Sequence, residues 1–204
     1  MTVTWLGHAC FLLEQDGCRI VIDPYEGVEG YPPLHVSAHG VFCSHEHFDH
    51  SCRAAVTLLP PVPSPFTVRE TASFHDDRGG ALRGENTIRC FTAGGQTVCH
   101  LGDLGHLLSR EQVREIGPVD VLLIPVGGVY TIGPEEAREV VRQLRPRCAV
   151  PMHYRHAPYG LPNVGGLERF AEQFCSGSVR TLPGGCFEVT DQLPELLIPT
   201  FRAQ

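Results

Sequence analysis

The spacing of apolar residues changes character about halfway along the chain. Over the first hundred residues, apolar positions come in short or alternating runs at 3–6, 10–14, 18–22, 40–43, 67–74, 87–92 and 96–101. Runs of that length predict strands buried on one or both faces. Asp16-Gly17 separates the second run from the third, and Gly94-Gly95 separates the last two. Both pairs suit the tight turn of a hairpin. Residues 51–59 read as a short helix stopped by Pro60-Pro61.

Beyond residue 101, helical and strand patterns alternate. Ser109 and Gln112 make a capping-box pair, predicting a helix that ends at Gly117. Pro134 opens a second helix with Ala137, Val140, Val141 and Leu144 on one face. A third helix is expected over 166–174. Apolar runs at 119–125 and 149–152 predict buried strands, and further strands are expected at 179–182 and 186–189. No repeat, low-complexity run or linker interrupts the pattern, so residues 1–204 are expected to form a single α/β domain.

Composition removes several function classes. The chain is 42% hydrophobic and 19% charged, as a folded protein is. A net charge of −7 argues against a nonspecific nucleic-acid surface. No apolar run approaches membrane-spanning length, and the N-terminus lacks the basic flank of a signal peptide. Every one of the 16 basic side chains is Arg, which excludes lysine Schiff-base and P-loop chemistry. Nine cysteines lie scattered without a C-x-x-C pair, as reduced core thiols of a cytoplasmic protein would.

The chemistry is concentrated in Ser44-His45-Glu46-His47-Phe48-Asp49-His50, where three imidazoles and a carboxylate fall within six residues after an apolar run. In a loop following a buried strand, alternating side chains can converge on one point. Neutral imidazoles and a hard carboxylate suit Zn, Mn or Fe at a site that polarises oxygen.

At these residues the chain resembles the metallo-β-lactamase-fold hydrolases. His45, His47, Asp49 and His50 fill that family's H-x-H-x-D-H pattern. His75 in SFHDD, Asp103 in HLGD and His153 in PMHY follow in the family's order. The opening TWLGHACF and IDPY are similar to a small subgroup that includes ascorbate-phosphate-lactonase-like proteins. The resemblance implies a four-layer αββα sandwich with two metal ions at one edge. It assigns the first ion to His45, His47 and His75, the second to Asp49, His50 and His153, and a bridging role to Asp103. His47 stands where the flavodiiron relatives have Glu, which disfavours oxygen or nitric oxide reduction.

Other polar residues are weighed beside this set. The resemblance places His8, after the first strand, near the metal edge, where it either contacts substrate or a group that supports the ligands, or else closes the strand structurally. Asp23, in IDPY, is expected to support loop amides or a ligand histidine. His100 reads as structural, and His106 either lines the cleft or, the preferred reading, faces solvent from a loop. Asp76 and Asp77 either orient a ligand imidazole or cap a turn. Arg83 and Arg155 are the candidates for holding an anionic substrate. Tyr130 and Tyr154 are candidate oxyanion donors, with Tyr154 preferred.

The function implied is hydrolysis of an ester, lactone or phosphodiester in a small anionic substrate by a metal-bridged hydroxide, with Asp49 orienting the nucleophile. Two divalent ions, Zn or else Mn or Fe, are the expected cofactors. A processive nuclease is disfavoured by the missing inserted domain, and a glyoxalase-type thioesterase by the short segment after Val189. The alternative from another class is a metal-binding sensor or oligomeric scaffold. A homo-oligomer is compatible with either reading.

Overall fold

The computed structural model describes residues 1–201. Strands β1 (Thr2–Gly7), β2 (Cys10–Gln15) and β3 (Cys18–Ile22) form an antiparallel meander. At the β2–β3 turn, Asp16 and Gly17 both have positive φ, 48° and 76°, as the dipeptide predicts. The chain then passes through β4 (Val36–Ala38) and returns as β5 (Gly40–Phe42), parallel to β3. Strand β6 (Val56–Leu58) pairs in parallel with β4. A second antiparallel meander follows in β7 (Thr67–Phe74), β8 (Glu85–Ala93) and β9 (Gln96–His100).

Helix α1 (Arg110–Ile116) leads to β10 (Val121–Pro125), and helix α2 (Pro134–Leu144) to β11 (Cys148–Met152). Both capping-box hydrogen bonds are present between Ser109 and Gln112. Helix α3 (Glu168–Ala171) precedes β12 (Val179–Leu182), β13 (Cys186–Glu188) and β14 (Leu196–Pro199). The result is two large sheets, ordered β13-β1-β2-β3-β5 and β12-β14-β11-β10-β9-β8-β7.

Strand alternation builds two separate cores. Val3, Trp5, Phe11, Leu13, Ile20 and Ile22 face the second sheet, where they join Ile88, Phe91, Leu122 and Ile124 in the main core. Each such residue, fully buried, contributes about 1.5–3 kcal/mol through the hydrophobic effect. Leu6, Cys10, Leu12 and Val21 face the other way and pack with Tyr25, Val28, Ala38 and Val56. The outer layer over the first sheet is therefore built from the connecting segment and the β4–β6 ribbon. The helices α1 and α2 contact the second sheet, at β7 and β10 respectively. Within the expected sandwich, the outer layers are unequal.

Three sequence expectations change. Residues 51–59 form only a 3-10 turn at Arg53–Ala55 and then strand β6, because β-branched Val56 and Thr57 pair with the free edge of β4. The third helix spans Glu168–Ala171 rather than 166–174. Its continuation to Phe174 is a turn in which Phe170 and Phe174 pack together, ring centroids 5.1 Å apart. Strand β14 is additional, and it sits between β11 and β12 in the middle of the parallel region.

Strand direction explains where the polar residues collect. β1 and β3 are each antiparallel to β2, so they run the same way, and β5 is parallel to β3. In the second sheet β7, β9 and β11 likewise share one direction. The segments after these six strands carry His8, Asp23, the 44–50 motif, His75, Asp103 and His153 in that order.

Candidate metal centre

Each polar residue after these strands is held by local backbone chemistry. His8, Asp23 and His153 all take left-handed backbone conformations, with φ of 51°, 49° and 52°. Such conformations are costly for residues other than glycine and cluster at functional sites. Gly102, φ 56°, immediately precedes Asp103, and a Cβ there would collide with Asn86 and Ser44. Asn86 Oδ1 accepts a hydrogen bond from the Asp103 amide at 2.9 Å, while its Nδ2 donates to Leu101 O and Ser73 Oγ. Gly105, two residues beyond Asp103, lies against the His75–Asp76 backbone, where a Cβ has no room.

The predicted ligand residues come together. His45, His47 and His75 place one ligand atom each within 4.8 Å of one another, and His8, Asp49, His50 and His153 do the same. All are buried except His47, which is exposed at the mouth. Asp103 lies between the groups. Its Oδ2 is 3.1 Å from His75 Nε2, 3.2 Å from His153 Nε2 and 3.9 Å from His45 Nε2, and its Oδ1 is 3.2 Å from His50 Nε2.

The donor set fits divalent cations on two observations. Nε2 of His45, His50 and His153 and Oδ1 of Asp103 are buried without a directed hydrogen bond. These nitrogens approach carboxylate oxygens, yet their geometry does not satisfy them, an arrangement that is costly unless another partner completes it. Also, among the described residues, Asp23, Asp49 and Asp103 are buried with only histidines within 4.0 Å as cationic partners. Three buried carboxylates without an arginine call for positive charge.

Electrostatics separates the histidines. Burial lowers His45 to about 3, with His50 adding to the effect, and burial and His153 lower His8 to about 4. Both rings are neutral at pH 7 and offer lone pairs. For His50 burial is outweighed by Asp103 and Asp23, which raise its pKa well above the ordinary value. For Asp103 burial is outweighed by His153 and His50, which hold the carboxyl well below its ordinary value.

Supporting contacts fix ring orientations. Asp23 Oδ2 is 2.8 Å from His50 Nδ1, and the same carboxylate accepts from the Ser44 amide and hydroxyl at 2.6 Å each. The cluster of Asp23 with His45 and His50 is thus a support, since Asp23 already spends its oxygens on hydrogen bonds. His75 Nδ1 meets the Tyr130 carbonyl at 3.0 Å. Ser44 and Asn86 are the supporting residues that sequence reasoning missed. Ser44 adjoins the motif and could have been noticed, whereas Asn86 carries no local signal.

The remaining candidates divide. His100 is structural as expected, donating to Ala9 O at 2.9 Å while its Nδ1 accepts from Gly102 N. Asp76 anchors a turn by accepting from the amides of Arg78, Gly80, Leu82 and Arg83. His106 lies half-buried in its loop and accepts from Phe74 N at 3.2 Å. Tyr154 is buried in the main core, stacked on Trp5 at 6.0 Å, which gives it a packing role in place of the oxyanion role considered for it. Arg155 is tied to Gly160 O and to Glu29. Arg83 donates to Val129 O and lies 5.7 Å from the Tyr130 ring centroid, with no carboxylate within 4.0 Å among the described residues.

All nine cysteines are unpaired, and none belongs to the candidate ligand groups. No helix among the described residues is long and apolar enough to cross a membrane.

Comparison with known proteins identifies the family. The profile of the family described as Beta-lactamase superfamily domain matches residues 2–153. A UPF0173 metal-dependent hydrolase of Carboxydothermus hydrogenoformans is 28% identical over 211 aligned positions, covering 82% of this chain and 91% of that protein. A UPF0173 protein of Pyrococcus abyssi is 32% identical over 194 positions, covering 83% and 90%. A crystal structure of a Thermotoga maritima member of the metallo-beta-lactamase superfamily is 34% identical, covers 97% of each chain and superimposes with a TM-score of 0.76. With its metal-competent cluster of buried histidines and aspartates, the chain belongs to the beta-lactamase superfamily and, within it, to the UPF0173 metal-dependent hydrolases.

Proposed function

We propose that the centre holds two divalent ions, the first on His45, His47 and His75 and the second on Asp49, His50 and His153, with Asp103 between them. One observation carries this reading. The Asp103 carboxylate lies within 3.2 Å of His75 from the first group and of His50 and His153 from the second. A bridging carboxylate needs that placement. Nitrogen and oxygen donors without a thiolate suit Zn, and also accommodate Mn or Fe. When bound, such ions supply a water-derived nucleophile near neutral pH and polarise the oxygen of the group under attack.

The chain's own residues supply the positioning. Asp49 aims the attacking water through its carboxylate, which is buried and held in the ionised state by His8 and His50 against the cost of burial. Asp23 and the Tyr130 carbonyl lock the His50 and His75 rings by their Nδ1 atoms, leaving Nε2 for the ions. Arg83 offers a guanidinium without a carboxylate partner beside the loop that holds His75, and it suits the anionic end of a substrate. The substrate class is a small anionic ester, lactone or phosphodiester, hydrolysed in the cytoplasm by residues 1–204 acting as one domain.

Elemental analysis after reconstitution with Zn, Mn or Fe, followed by a panel of lactone, ester and phosphodiester substrates, tests this. Two equivalents of metal and turnover of an anionic member are expected. No bound metal, or full loading without turnover of any of the three classes, overturns the reading.

A further inference from the structure

We propose that His8 is itself a metal ligand, joining Asp49, His50 and His153 around the second ion beside Asp103. The inference rests on the two-ion reading above and adds to it a residue from the first strand.

Distance separates ligation from a supporting hydrogen bond. His8 Nε2 lies 3.2 Å from Asp49 Oδ2. A charge-assisted hydrogen bond between imidazole and carboxylate is usually about 2.7–2.9 Å long, and the His50–Asp23 bond, at 2.8 Å, falls in that range. Adjacent donors on one ion, each with a bond of about 2.05 Å, span an edge of roughly 2.9–3.4 Å. The His8–Asp49 spacing matches that edge. It also matches the 3.1–3.2 Å spacings of Asp103 to His75, His50 and His153.

Position gives a second, independent line. His8 offers one ring nitrogen within 4.8 Å of the ligand atoms of Asp49, His50 and His153 together. The ring is only 1% exposed, its centroid is 4.3 Å from that of His153, and its Nδ1 has no hydrogen-bond partner.

The backbone holds this ring firmly. The His8 carbonyl accepts from Trp5 Nε1 at 3.0 Å and from the His153 amide at 3.3 Å, which ties the two left-handed residues together across the sheets. Gly7, φ 110°, has the Tyr31 ring where a side chain would be. Placement of this kind, by rigid elements on both sides, is what a ligand requires.

The test compares full-length wild type, His8→Ala and His8→Gln. Each is reconstituted with Zn and with Co, the variants are checked for folding by circular dichroism, and metal affinity is read by chelator competition. For wild type two equivalents are expected. Both variants should keep one tight equivalent, and the other should weaken beyond the roughly 10–100-fold that loss of a supporting hydrogen bond costs. Pulsed paramagnetic resonance on the Co form should count one fewer imidazole in both variants. If His8→Ala keeps two equivalents at wild-type affinity, His8 is not a ligand. If His8→Gln alone restores wild-type affinity and spectrum, His8 acts as a donor to Asp49 and the proposal is overturned. Absence of a second equivalent in wild type would instead remove the two-ion reading itself.

Discussion

Asp23 and His50 meet at 2.8 Å with both side chains wholly out of solvent, and the same carboxylate holds the amide and hydroxyl of Ser44. One residue from the end of β3 thereby fixes both ends of the histidine-rich motif. Asp23→Asn keeps the shape but removes the charge that orients His50. Metal affinity should fall about 10–100-fold, measured by chelator competition, with the fold retained. Asp23→Ala should cost about 1–3 kcal/mol for each buried group left unpaired, measured by denaturant unfolding of the metal-free chain.

Asp49→Asn and Asp103→Asn should fail differently. Asp49→Asn removes the group that aims the nucleophile, so kcat should drop roughly a hundredfold or more at full metal loading. Asp103→Asn removes negative charge from between two cations, and its main effect should be loss of metal. Metal content measured beside kcat separates them. Near wild-type kcat in fully loaded Asp49→Asn would contradict the role given to Asp49.

Gly102→Ala should disable the centre without touching a ligand. The residue is left-handed, and the space for a Cβ is occupied by Asn86 and Ser44. Destabilisation of about 1–3 kcal/mol is expected, together with weaker metal binding because Asp103 is displaced. A thermal melt and metal titration of this variant that match wild type would show that the backbone here is not constrained.

Asp76, the neighbour of His75 in the chain, gives a pH-dependent prediction. Although burial opposes ionisation, the amides of Arg83, Leu82, Arg78 and Gly80 hold its carboxyl down at about 2, from an ordinary 3.8. A carboxyl with a depressed folded pKa stabilises the fold fully above its unfolded pKa, and that contribution disappears as pH falls through the folded value. The 78–83 turn should therefore hold its amide protection at pH 4 and above and lose it as pH falls toward 2. Hydrogen exchange of those four amides reads this directly. Asp76→Ala should lose the protection at every pH.

How much of this was legible in the sequence depends on how local each signal is. The 44–50 motif, the Asp16-Gly17 turn and the Ser109–Gln112 capping box each hold their information within a few residues; the structure contains the turn and the capping box in the expected form and gathers the motif's side chains with those of His75 and His153. The alternation in β1–β3 was equally readable, because side-chain direction in a strand repeats every two residues. Residues 51–59 and 196–199 misled or escaped the same reading for a physical reason. Short segments of weak preference take the conformation that a neighbouring strand offers, and β4 and the β11–β12 gap lie far away in sequence. The candidate ligands could be named in order from the chain. Their convergence could not, because it depends on β1, β3 and β5 sharing a direction within one sheet and β7, β9 and β11 within the other, with the two sheets packed together. Only the packed sheets decided that Asn86 holds the Asp103 amide, that Tyr154 turns into the core against Trp5, and that His8 stands 3.2 Å from Asp49. Each of those contacts joins strands brought together by the burial of apolar faces, which acts between distant segments and leaves no trace in local spacing.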